Sequence, residues 1–223
     1  MNRLDCLALA VLVMTPSTRV RADEKPSPPV SVTIDTSESP EVEPWAKEAK
    51  ALVEVWYPKV AALLPSQDFR PPLEVRIVFK KDMKGVADTS GNRIRIAADW
   101  IKKHPEDRGM VIHEMTHIIQ SYPPTRAGWL VEGVADHVRF FRFEPETKVT
   151  LRDLDRASYR DGYRTTALFL DWVQRTYDED LVVKLNAALR RGEYAPELFK
   201  TATTKTLDDL WAEFVKDVKS KPK

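Results

Sequence analysis

Residues 113–136 read HEMTHIIQSYPPTRAGWLVEGVAD, and the rest of the chain is best read outward from them. His113 and His117 are four apart, so on a helix they leave one face about a turn from each other. Met110, Val111, Ile112, Met115, Ile118 and Ile119 supply an apolar face around them. The spacing predicts a helix over 106–121, entered at Pro105 and ended before Pro123-Pro124. A second helix is expected from Trp129 to Asp136. On it Glu132 and Asp136 are again four apart, two carboxylates sharing a face among Val131, Val134 and Ala135. Carboxylates buried on an apolar helix need a cation or a hydrogen-bond donor. Two imidazoles with a carboxylate from a neighbouring helix can make three protein ligands around Zn²⁺ and leave a fourth position for water.

Each residue of the stretch then takes an expected role. His113, His117 and Glu132 are the metal ligands, and Asp136 accepts the free ring N–H of one ligand histidine. Asp136 and His137 stay open as alternatives for the third ligand. Glu114 points away from the shared direction of the histidines yet can reach a water between them, which suits a general base. Should both carboxylates face solvent instead, Arg139 and Arg126 are their expected partners. Attack on a carbonyl also needs a donor for the developing oxyanion. Tyr163 is the expected donor, with Tyr159 and Arg164 behind it.

Upstream, Val30–Ile34 (VSVTI) and Leu73–Phe79 (LEVRIVF) alternate apolar and polar residues, as strands do. Between them, apolar residues recur at threes and fours from Trp45 to Leu63. They predict an amphipathic helix over 42–63 with a kink at Pro58 and its tryptophans in the core. Residues 80–92 read as a loop and Arg93–Ala97 (RIRIA) as a strand expected at a sheet edge, either open to an extended peptide or a solvated edge whose arginines ward off pairing. Downstream, Thr165–Tyr177, Glu179–Arg191 and Leu207–Val218 are expected helices, with Gly192 as a stop. Early strands and late helices predict an α+β domain over 30–223, with a small mixed sheet and a mostly helical second half.

Charged residues balance: 35 Lys and Arg against 34 Asp and Glu, a formal charge of +1. That disfavours nucleic acid or an anionic membrane as partner, and a monomer is expected. Arg3 followed by the apolar run Cys6–Met14 reads as a signal peptide over residues 1–22, cleaved after Ala22, with a flexible lead-in over 23–29. The expected destination is secreted, periplasmic or extracellular. Cleavage would remove the one cysteine, so a thiolate metal site is excluded. Four histidines remain as candidates, of which His104 and His137 read as ordinary polar residues.

HEMTH with Gln120 and WLVEGVADHVR (129–139) resembles the plant basic secretory protein family and its bacterial and fungal relatives, metallopeptidase-like proteins. YRTTALFLDW (163–172) is similar to the family's downstream helix, so the resemblance spans roughly residues 30–215. It implies a zincin-like fold, a Zn²⁺ cofactor and peptide or protein substrates. The WLVEG segment is similar to the third-ligand helix of gluzincin peptidases, which implies His113, His117 and Glu132 as ligands. Gln120 and Pro123 stand where the metzincin pattern needs glycine and histidine. Two departures are plain: only fourteen residues separate His117 from Glu132, and the charge is near neutral rather than basic. The alternative reading is a secreted binding or defence-related protein whose zinc is structural or vestigial.

Overall fold

Strands form where the sequence alternates, and in one place where it does not. In the computed structural model, which describes residues 29–67, 69–151 and 153–220, four strands make one sheet. These are β1 (Ser31–Asp35), β2 (Glu74–Lys80), β3 (Ala87–Ser90) and β4 (Arg93–Ala97), in the order β1-β2-β4-β3. The signal peptide expected over 1–22 lies outside the described residues. β1, β2 and β4 are mutually parallel and β3 is antiparallel to β4. The register sets Ile77 beside Ile94 and Phe79 beside Ile96, all fully buried.

Two expectations need correction here. Arg93–Ala97 is an interior strand, and the edge belongs to Ala87–Ser90, a segment that reads as loop. ADTS has no apolar alternation to mark it. It becomes a strand because Gly91, at φ +58°, and Asn92 turn the chain back so that Ser90 pairs with Arg93. Asp88 and Arg95 then face each other across the hairpin in a two-pronged ion pair, both contacts 2.7 Å.

Helix α1 (Glu43–Leu63) connects β1 to β2 and runs unbroken through Pro58. Trp45, Ala49, Val53, Tyr57 and Val60 form its buried face. Trp45 meets Phe79 edge-on at 6.0 Å, and its indole N–H donates to the Pro105 carbonyl at 2.9 Å. A short helix not expected from the sequence, α2 (Ala98–Lys103), follows β4 directly. The motif helix α3 therefore begins later than Pro105 suggested, at Gly109, and runs to Gln120. Asp107 accounts for the delay: its carboxylate accepts from the Met110 backbone N–H at 3.2 Å, capping the helix. Ser121, in the left-handed region at φ 41°, ends it.

Helix α4 (Gly128–Val138) packs against α3 on one side and α5 (Tyr163–Thr176) on the other, and a turn of π-helix, Arg139–Phe143, extends it. The close approach of α4 and α5 depends on Gly133, where a Cβ would fall 2.1 Å from Thr166 Cγ2. Helices α6 (Leu181–Arg191), α7 (Glu197–Thr203) and α8 (Leu207–Ser220) complete the chain; α7 is short and was not expected. Phe169 is the hub of this half, with Trp211 at 5.4 Å and Phe214 at 5.7 Å. The architecture is α+β, with one continuous core from Val32 on the sheet to Phe214 on α8. No helix among the described residues is long and apolar enough to cross a membrane.

Candidate metal centre

Helix α3 presents His113 and His117 toward α4, which presents Glu132. His113 Nε2 lies 3.1 Å from His117 Nε2 and 3.1 Å from Glu132 Oε2, and His117 Nε2 lies 3.4 Å from that same oxygen. Ligands about 2.0–2.1 Å from a tetrahedral ion sit roughly 3.3–3.4 Å from one another, so the three atoms are spaced as one face of such a shell. Among the described residues, His113, His117 and Glu132 are the group that could hold a metal ion.

Both imidazoles are oriented from behind. Asp136 Oδ1 lies 2.7 Å from His113 Nδ1, and Gln120 Oε1 lies 2.8 Å from His117 Nδ1. Each acceptor calls for a proton on Nδ1, which leaves the Nε2 atoms to converge as donors. Gln120 cannot swivel freely, because its amide nitrogen donates to the Val131 carbonyl at 3.0 Å. Burial works against a charged His113, but the carboxylates of Asp136 and Glu132 outweigh it and raise its pKa to about 9. Burial likewise works against a charged Glu132, yet His113 and His117 hold its carboxyl down to about 2. The pocket thus favours positive charge between these groups, which a proton on His113 Nε2 supplies and a bound cation would replace.

Glu114 is buried beside the histidines. Its Oε2 accepts from the Thr89 hydroxyl at 2.7 Å, and the same hydroxyl lies 3.0 Å from the Glu114 carbonyl oxygen. Edge strand β3 is therefore tied to α3 at this carboxylate. Tyr163 opens α5 with φ 47°, an uncommon conformation for a tyrosine, and its ring stacks over His113 at 6.0 Å and 13°. Glu132 foremost, then burial, Asp136 and Glu114, push the phenol pKa up, so Tyr163 keeps its proton as a donor. His113, Glu114, His117, Glu132, Asp136 and Tyr163 all line one open cleft of about 1330 Å³.

Other residues singled out in the sequence lie elsewhere. The Tyr159 hydroxyl donates to Asp208 at 2.8 Å, within the C-terminal aromatic cluster. His104 follows α2 with its ring against Trp100 at 4.0 Å. His137 is fully enclosed and stacks on Phe141 at 5.4 Å, with no hydrogen-bond partner for Nε2 among the described residues. Burial chiefly, with help from Arg142, lowers its pKa to about 3. Neither Glu132 nor Asp136 turns to Arg139, which is held by Asp107 at 2.7 Å and Glu144 at 3.3 Å. Arg164 is the exception: it lines the same cleft, with its guanidinium over Phe140.

Sequence reasoning missed two roles. Gln120 was readable, since it follows His117 by three and so lies beside it on a helix. Thr89 left no signal in a stretch that looks like loop. A third contribution comes from α6. Arg190 Nη2 donates to the Ile119 carbonyl at 2.9 Å and Nε to the Gln120 carbonyl at 3.3 Å, while Nη1 reaches Leu64 at 3.3 Å. It thereby caps the carboxyl end of α3 with a cation, the sign that end favours.

A family model described as BSP, peptidase of plants and bacteria, matches residues 41–214. No curated protein and no solved structure matches the chain.

Proposed function

Because the chain belongs to this BSP family of plant and bacterial peptidases, we propose that it is a zinc-dependent peptidase whose general base is Glu114. The observation that carries the reading is the convergent triangle of His113, His117 and Glu132, with both Nδ1 atoms already bound by Asp136 and Gln120. Two imidazoles and a carboxylate, with no thiolate, suit Zn²⁺ better than a harder cation that prefers an all-oxygen shell. Zn²⁺ held there would act as a Lewis acid, acidifying a water and polarising the carbonyl to be attacked.

The chain's own residues supply the rest. Glu114 takes a proton from the attacking water and delivers it to the leaving amine, with Thr89 fixing one carboxylate oxygen so that the other faces the cleft. The Tyr163 phenol donates to the oxyanion from the cleft wall. Strand β3, antiparallel to β4 and unpaired on its other side in the described sheet, offers backbone groups to an extended peptide lying along the cleft. The expected signal segment makes action outside the cytoplasm part of the proposal.

Elemental analysis and proteolysis on one preparation test it. The purified protein is expected to carry about one zinc per chain and to cleave a generic protein substrate until a chelator is added. Glu114→Gln is expected to keep the zinc and lose turnover. Full cleavage by that variant would overturn the mechanism. Zinc retained with no cleavage by the native protein would leave a non-catalytic binding role.

A further inference from the structure

One aromatic ring in the cleft wall has two cations against it. The guanidinium of Arg139 lies 4.7 Å from the centroid of Phe140, and that of Arg164 lies 5.0 Å from it. Phe140 is itself buried and follows Asp136 by one helical turn. Both arginines line the same cleft as His113, Glu114 and Glu132.

Their charges are balanced differently. Arg139 is largely buried and shared between Asp107 and Glu144. Arg164 is exposed on the first turn of α5, next to Tyr163, and no carboxylate among the described residues lies within ion-pair distance of it. Asp153 and Asp161 line a shallow recess with Arg164, and both accept backbone N–H groups instead, Asp153 from Arg156 at 3.3 Å and Asp161 from Ser158 at 2.8 Å. An arginine braced by an aromatic face instead of an acid keeps its planar fork of N–H donors available. That fork matches a carboxylate, which it can bind with two parallel hydrogen bonds. At the centre itself Glu114, Glu132 and Asp136 would repel an acidic group of a substrate. An acid is received only where the wall is positive.

We propose that Arg164 determines specificity by pairing with a carboxylate of the bound peptide, so that the preferred substrates are peptides acidic beside the cleaved bond. The inference rests on the peptidase reading and names its substrate class. The carboxylate is either an Asp or Glu side chain or the free C-terminus of the peptide.

The test uses synthetic peptides that differ only in carrying Glu, Gln or Lys near the cleaved bond, each with a free or an amidated C-terminus. Cleavage is followed by mass spectrometry for the native protein, Arg164→Gln and Arg164→Glu. The native protein is expected to cut carboxylate-bearing peptides at least about tenfold faster than their neutral counterparts. Arg164→Gln should lose that ratio while still cutting the neutral peptides, and Arg164→Glu should move the preference to Lys. Preference that follows Glu identifies a side-chain partner; preference that disappears on amidation identifies the terminus. Cleavage with no preference, or a preference unchanged in both variants, overturns the proposal.

Binding of the same peptides to Glu114→Gln, measured by calorimetry, separates this failure from failure of the peptidase reading. If no peptide is cut at all, the peptidase reading falls. Equal affinity for the Glu and Gln peptides would then dismiss Arg164 as well, and tighter binding of the acidic peptide that is lost in Glu114→Gln/Arg164→Gln would uphold it.

Discussion

Gln120 joins His117 to the helix that carries Glu132: its carbonyl oxygen lies 2.8 Å from His117 Nδ1 while its amide nitrogen donates to Val131. One side chain therefore fixes a candidate ligand on α3 and touches the backbone one residue before the candidate ligand on α4. If the proposed zinc site holds, Gln120→Leu should weaken zinc affinity by about 10- to 100-fold, the usual effect of losing a partner behind a metal-binding histidine. Competition with a chromophoric chelator measures it. Native affinity in that variant would show that His117 needs no support.

Thr89 should matter to turnover and little to substrate affinity. Thr89→Val keeps the shape but removes the hydroxyl that holds Glu114 Oε2. A hydrogen bond to a charged group contributes about 1.5 kcal/mol or more, so kcat should fall roughly tenfold or further, with KM nearly unchanged. Thr89→Ser should restore most of the rate. Equal kcat for the valine and serine variants would remove Thr89 from the mechanism.

Gly133→Ala tests the contact between α4 and α5. Alanine favours a helix over glycine by about 1 kcal/mol. Here the added methyl meets Thr166, which is buried and held through its hydroxyl to the Tyr159 carbonyl at 2.7 Å. Overpacking costs about 1–3 kcal/mol and should outweigh the gain, for a net loss of up to roughly 2 kcal/mol in urea unfolding. A more stable variant would mean that the two helices separate at little cost.

Acid should expose the buried imidazole of His137. Its folded pKa, about 3, lies below the ordinary histidine value of 6.5, so between these limits the unfolded chain takes up a proton that the folded chain refuses. Stability is therefore lost as pH falls from about 6.5 toward 3, by at most about 1.4 kcal/mol per pH unit for this one proton. Carboxylates titrate in the same range, so the informative quantity is the difference between the native protein and His137→Leu. The leucine variant should lose less stability between pH 7 and pH 4.5, and parallel losses would show that His137 takes up its proton when folded.

The sequence is readable where one period dominates. Met110 to Ile119 repeat as a helix must, and the Glu132–Asp136 pair stands out because carboxylates are costly among Val131, Val134 and Ala135. Strand β3 escaped because ADTS owes its form to a hairpin turn and to α3 beneath it, and neither leaves a local pattern. Helix α2 escaped because it follows β4 with no intervening loop. Asp136 and Glu132 were recognisable as a pair, but only the packing of α4 on α3 shows that one meets Nδ1 of His113 and the other Nε2. His137 lies one residue beyond Asp136, and its side chain leaves on another face, into the core.

Arg190 carries a consequence of timing. A growing polypeptide that has emerged as far as Asp136 already contains His113, Glu114, His117, Gln120 and Glu132. The carboxyl end of α3 still lacks the guanidinium that binds its last carbonyls, which arrives from 71 residues beyond Ile119. Only once α6 is in place does that guanidinium meet the end of α3 that carries Gln120, so the support behind His117 draws on both halves of the chain.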